Sequence, residues 1–239
     1  MKKLTLLLLA LATAALLVVP AKAATPFTDI QDLDEYTRDN IEYLYNEGIM
    51  NGTGDTTFSP DALYTRAMFV TMLGRMEGVD PAAFPDTAFS DVPAGRWDAP
   101  YIAWAAGEGI VNGVGNGKFD PTGVITLEQY SAITDRYLGR FNVTIMYDSV
   151  GDWPPHVYDL DEAGSYAQAA IEEQVKAGLL SFTYEEGDTA GVYVHPKQQL
   201  TRAWIAEWFG DFHFIFNHED SVQHYTDYAE ITTWAEWGE

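Results

Sequence analysis

The chain has 239 residues, no cysteine, and 36 Asp and Glu against 13 Lys and Arg, a formal charge of −23. Without cysteine there is neither a disulfide framework nor thiolate chemistry, and so negative a surface repels nucleic acid and anionic membrane at long range. Aromatic residues make up 14% of the chain, too much for a disordered acidic segment.

In chain order, the first element reads as an export signal. Lys2 and Lys3 precede an apolar run from Leu4 to Val19, Pro20 interrupts it, and Ala21-Lys22-Ala23 offers small residues at the positions a signal peptidase reads. The run is short for a span of about 20 residues, and no basic stop-transfer cluster follows it. Cleavage after Ala23 leaves residues 24–239, which form no membrane span and carry 10 Lys and Arg against 36 Asp and Glu. That length supports one or two globular domains.

The remainder repeats itself. Phe27-Thr28-Asp29-Ile30 returns as Phe89-Ser90-Asp91-Val92 and, more loosely, as Tyr147-Asp148-Ser149-Val150. Gly48-Ile49-Met50-Asn51-Gly52 returns as Gly109-Ile110-Val111-Asn112-Gly113, then as Gly178-Leu179-Leu180-Ser181. Phe58-Ser59-Pro60 matches Phe119-Asp120-Pro121 and Val194-His195-Pro196, and Thr65-Arg66-Ala67 matches Thr126-Leu127-Glu128 and Thr201-Arg202-Ala203. Four elements in one order define three copies: 26–76, 88–140 and a degenerate third over 146–209. An acidic, aromatic tail follows over 210–239.

Each copy predicts two helices. Tyr36, Ile41, Leu44 and Tyr45 fall at helical spacing in the first, as do Tyr101, Ile102 and Ala105 in the second and Ala167, Ala170, Ile171 and Val175 in the third. A glycine ends each helix, a turn-rich loop follows, and a Phe-x-Pro element leads to a second helix opened by Thr65, Thr126 or Thr201. Thr126 with Gln129 makes a capping box. Arg66 and Arg202 stand in the first turn, where a cation opposes the helix dipole by ~0.3–1 kcal/mol. An Arg beside a helix N-terminus is, however, a competent anion site; the alternative is an ordinary pairing with a nearby carboxylate.

These elements resemble the S-layer homology family, closely in the first two copies and weakly in the third. Trp97 through Pro100-Tyr101-Ile102-Ala103-Trp104-Ala105 adds to the likeness, and Thr65-Arg66-Ala67 resembles the family's Thr-Arg-Ala-Glu helix start. The resemblance implies an all-α fold of three helix-loop-helix repeats with pseudo-three-fold symmetry, outside the cell. It also implies binding of secondary cell-wall polysaccharide, commonly through a pyruvylated, anionic sugar held in grooves between repeats. Carried over by position, the ligand-binding candidates are Arg66 and Arg202, Asp29 and Asp91, Gly52 and Gly113, and the aromatics Trp97 and Tyr36. Leu127 replaces the Arg in the second copy, Ser181 replaces the loop glycine in the third, and the closing Glu is missing from all three.

No catalytic constellation is apparent: there is no Gly-x-Ser-x-Gly elbow, phosphate loop or His-Glu-x-x-His. A glycosidase pair could be nominated from 36 carboxylates, which gives such a nomination no weight. His213, His218 and His224 lack one-turn spacing for zinc, and no calcium loop is present, so neither metal nor cofactor is expected. A second possibility is a structural surface-layer or wall-assembly subunit whose tail contacts another surface protein. Cleavage after Ala23 predicts that mass spectrometry of the exported protein finds Ala24 at the N-terminus; a membrane-held chain retaining residues 1–23 would contradict it.

Overall fold

The computed structural model describes residues 25–84, 87–140, 156–176, 179–180, 182–183 and 191–217. The export signal, most of the tail and residues 147–150 lie outside them. Among the described residues there are six α-helices: α1 (Glu35–Asn46), α2 (Arg66–Met76), α3 (Ala99–Gly107), α4 (Leu127–Gly139), α5 (Gln168–Lys176) and α6 (Arg202–Asn217). A parallel pair of two-residue strands, β1 (His156–Val157) and β2 (Gly191–Val192), accompanies α5. The fold is mainly helical, as the periodicity predicts. No described helix is long and apolar enough to cross a membrane.

Local chemistry starts and stops these helices. Asp34 caps α1, its carboxylate accepting from the Thr37 amide at 2.9 Å and the Thr37 hydroxyl at 2.8 Å. Thr65 and Thr201 accept from the amides of Met68 and Trp204, each at 3.2 Å, and Gln129 Oε1 accepts from the Thr126 amide at 3.5 Å. Gly48 and Gly109 follow α1 and α3 with φ of 72° and 73°, a left-handed stop that favours glycine. The buried stripe of α1 is Thr37, Asn40, Ile41 and Leu44. Tyr36, placed on that stripe by spacing, is instead 51% exposed: it stands in the first turn, at the end of the stripe.

The helices pair across units. With α1–α2, α3–α4 and α5–α6 as three units, α2 packs on α3, α4 on α5, and α6 on α1. Where the second helices meet, Phe69, Tyr130 and Phe209 form an aromatic cluster with centroids 5.3–5.8 Å apart. The segments just before α2, α4 and α6 hold one another by backbone bonds. Tyr64 donates to the Leu200 carbonyl at 2.8 Å, Leu200 to Ile125 at 3.1 Å, and Ile125 back to Tyr64 at 2.9 Å. All three residues are buried, so each bond satisfies groups that water cannot reach.

Each unit also closes on itself in one way. Thr28, Ser90 and Tyr158 donate their amides to the carbonyls of Thr56, Gly117 and Val192, all at 2.9 Å. This fixes the alignment of the third unit. Its leading element is Val157-Tyr158-Asp159-Leu160, whereas the expected Tyr147–Val150 falls outside the described residues. The core aromatics pair within the first two units, Phe27 with Phe58 and Phe89 with Phe119, both at 5.5 Å; the third places Val157 and Val194 there. Phe119 is fully buried, so Phe119→Ala should cost ~3–5 kcal/mol in urea unfolding, and a loss below ~1 kcal/mol would contradict this account.

Candidate functional site at the junctions between units

The Phe-x-Pro turns are where one unit meets the next. Ser59, Asp120 and His195, the middle residues, have φ of 58°, 61° and 53°, a left-handed conformation uncommon for non-glycine residues. A carboxylate within the unit holds each turn. Asp29 accepts from the amides of Phe58 and Ser59 at 2.8 and 2.7 Å, and Asp91 from Phe119 and Asp120 at 2.8 Å each. Asp159 does the same with Val194 and His195 at 3.0 and 2.7 Å. Partial desolvation pushes the Asp29 and Asp91 carboxyls up, but the amide hydrogen bonds outweigh it and leave both below the ordinary value.

From the other side, the neighbouring unit's helix start grips the same turn. In α2 the Arg66 and Ala67 amides donate to Gly123 and Pro121 at 2.9 and 3.3 Å; in α6 those of Arg202 and Ala203 donate to Ala62 and Pro60 at 2.9 Å. In α4 the amides of Leu127 and Glu128 donate to Gln198 and Pro196 at 2.9 and 3.0 Å. The first amides of these three helices are therefore taken by the protein's own carbonyls.

The arginine side chains extend this grip. Arg66 Nε donates to the Phe119 carbonyl at 3.0 Å, with the guanidinium 4.9 Å from the Phe119 ring centroid. Arg202 donates from Nε to Phe58 at 2.7 Å and from Nη2 to Asn51 at 2.6 Å, 4.4 Å from the Phe58 centroid. Both residues are only 5% exposed, and burial pulls their pKa below the ordinary value, though a guanidinium stays charged. The two differ in what is left over. The Nη groups of Arg66 make no hydrogen bond to any described residue, and Asp120, Tyr166, Asp91 and Arg136 are its electrostatic neighbours. Tyr166 is 53% exposed.

Candidates from one copy do not assemble together. Arg66 stands beside Asp91 of the next unit, and Arg202 beside Asp29. Gly52 and Gly113 serve packing: an added Cβ would collide with the Phe27 ring and Thr57 carbonyl at one, and with the Lys118 carbonyl and Phe89 ring at the other. Trp97 is 57% exposed, beside an Arg96–Asp98 ion pair of 2.6 Å. At the remaining junction Leu127 is buried, and Glu128 accepts from Lys197 at 2.7 and 2.8 Å and from the Gly164 amide at 2.7 Å. Sequence reasoning missed Asp159, whose signal was the Val-x-Asp-Leu pattern, and also Glu128, Lys197, Arg136 and Tyr166.

The family profile of the S-layer homology domain matches residues 26–67 and 88–131. This chain carries S-layer homology domains. The matched segments span the leading carboxylates, the Phe-x-Pro turns and the starts of α2 and α4. A cell surface protein of Thermoanaerobacter kivui is 36% identical over 162 residues, 64% of this chain and 20% of that protein. An endoglucanase of Bacillus sp. (strain KSM-635) is 32% identical over 184 residues, 77% of this chain and 18% of that one. A surface layer protein of Brevibacillus choshinensis is 30% identical over 142 residues, 58% of this chain and 13% of that protein. The chain spans about a fifth or less of the length of these curated relatives. S-layer homology domains and surface-protein relatives place it at the bacterial cell surface or wall.

The depressed carboxyls give a sign to acid sensitivity. An unfolded Asp titrates near ~3.9, so below about pH 4 the unfolded chain takes up more protons than Asp29 and Asp91 do when folded, and stability falls with pH through their folded values. Urea midpoints should drop from pH 7 to pH 3, and Asp91→Asn should start lower and drop less; an identical pH dependence in the variant would refute this.

Proposed function

We propose that the chain is a non-catalytic wall anchor that binds secondary cell-wall polysaccharide through a pyruvylated, anionic sugar at the junctions between units. In this reading the units are three degenerate S-layer homology repeats about a pseudo-three-fold axis, the third being the most altered. The common hydrogen bonds of Asp29, Asp91 and Asp159 and the cyclic backbone contacts support it.

The observation that carries the ligand is Arg66. One edge of its guanidinium is fixed by the Phe119 carbonyl, and the Nη groups make no hydrogen bond to a described residue; Asp120 and Asp91 stand near it as well as Arg136 and exposed Tyr166, so a ligand carboxylate would share the guanidinium with them. Such a fixed fork suits a carboxylate, and a phenol ring offers a face to the sugar. Arg202 has already spent Nη2 on Asn51, and Leu127 offers no cation. Negative charge elsewhere on the protein is screened beyond a Debye length of about 8 Å at physiological salt.

Pulldown with purified walls, before and after removal of the wall polysaccharide, tests the reading. Arg66→Ala should weaken binding by ~1.5–3 kcal/mol, the range for a hydrogen bond to a charged group, and Arg66→Lys should recover part. Arg202→Ala should act mainly on stability. Wall binding by folded Arg66→Ala as tight as the parent's, or binding indifferent to polysaccharide removal, would sink the proposal.

A further inference from the structure

The third unit carries a run of rings that the other two lack. His156 opens β1 and Tyr158 follows it, and Tyr193 and His195 follow β2. The His156 and Tyr158 centroids are 5.4 Å apart, Tyr158 and Tyr193 5.2 Å, and Tyr193 and His195 6.3 Å with planes 17° apart. His156 and His195 are exposed, Tyr158 is 36% exposed, and Tyr193 is half-buried. The Tyr158 ring lies on Gly191, where any Cβ would collide with it. Thr183 Oγ1 and His195 Nε2 are 3.0 Å apart, which fixes the imidazole.

The fold does not require these rings. Where the third unit has His156, Tyr158, Tyr193 and His195, the first has Pro26, Thr28, Thr57 and Ser59, and the second Ala88, Ser90, Lys118 and Asp120. The backbone is the same in all three: the amide bonds of residues 28, 90 and 158, the Asp clamps, and the left-handed turn residue recur. Four neighbouring positions therefore carry rings in the third unit alone, three of them exposed and Tyr193 half-buried, where the described residues otherwise bury most of their large apolar groups.

We infer that this ring face is a second carbohydrate contact, separate from the Arg66 junction, that stacks on the faces of neutral hexopyranose units. Each ring pairs an apolar face with a polar edge, a phenol hydroxyl or an imidazole nitrogen, which matches the alternating C–H faces and hydroxyls of a pyranose. No aliphatic side chain belongs to the run, unlike an apolar protein-docking patch. The Asp159 carboxylate stands 3.9 Å from His195 Nδ1, and Lys197 is already paired with Glu128; both disfavour an anionic ligand at this face. An uncharged glycan meets neither obstacle.

Titration of the whole chain with two uncharged probes, cellohexaose and the hexamer of N-acetylglucosamine, tests this by calorimetry or saturation-transfer NMR. At least one probe should bind, with affinity little changed between about 0.1 and about 1 M NaCl, where the Debye length shrinks from about 10 to about 3 Å. Tyr193→Thr and His195→Ser install the residues that the first unit carries, so both should fold; each should weaken binding at least about tenfold, 1.4 kcal/mol. Arg66→Ala should leave probe binding intact while wall-polysaccharide binding falls, which separates failure here from failure at the junction. Absence of binding by either probe, binding lost at high salt, or Tyr193→Thr and His195→Ser binding as tightly as the parent would each overturn the inference.

Discussion

The three segments before α2, α4 and α6 cannot satisfy their own backbones; each gives its amide to the next, from Tyr64 to Leu200, Leu200 to Ile125, and Ile125 to Tyr64. Each bond contributes a modest net ~0.5–1.5 kcal/mol, but leaving one buried group unpaired costs ~1–3 kcal/mol. The three contacts therefore stand or fall together. From this closed circuit the second helices diverge at fixed positions, and their first-turn amides reach the neighbouring Phe-x-Pro turns. The junctions, the arginines and any ligand contact depend on that circuit.

The junction is a two-sided clamp on one strained turn. An Asp of the same unit takes the turn's amides, while the preceding unit's helix start takes its carbonyls. Where an Arg is present it caps the Phe carbonyl and lies over the Phe ring. The Arg and the aromatic change together: the junction with Leu127 faces Val194 in place of Phe. Without a ring to stack on, a buried guanidinium there would lose one of its two supports.

Much of the fold was legible in the sequence because repetition and periodicity are local signals. Thr65, Thr126 and Thr201 mark the second helices, and the spacing of Ile41 and Leu44 or Ala170 and Ile171 marks the first. What repetition does not reveal is which copy touches which. Asp29, Gly52 and Arg66 share a copy, yet Arg66 works with Asp91 and Phe119, a pairing set by packing of α2 on α3. The third unit's clamp is hidden for a related reason. Tyr147-Asp148 resembles the motif, but the Asp must reach the amides at 194 and 195, and Asp159 does so across a loop lengthened by several residues. The ring face could be seen only once that alignment was fixed, since its residues come from two separated stretches.

The packing of α1 against α6 has a consequence for the order in which the fold is completed. These helices are about 160 residues apart in the chain, and Asn40 donates to the Glu207 carbonyl across their seam at 3.3 Å, with Gly210 leaving room for its side chain. A chain that emerges from its N-terminus first presents α1 long before its partner exists. The buried face of α1 stays uncovered until α6 has emerged, so the last seam to zip joins the earliest helix to the latest. Contacts of such sequence separation slow folding, because the loop-closure entropy comes before the contact energy.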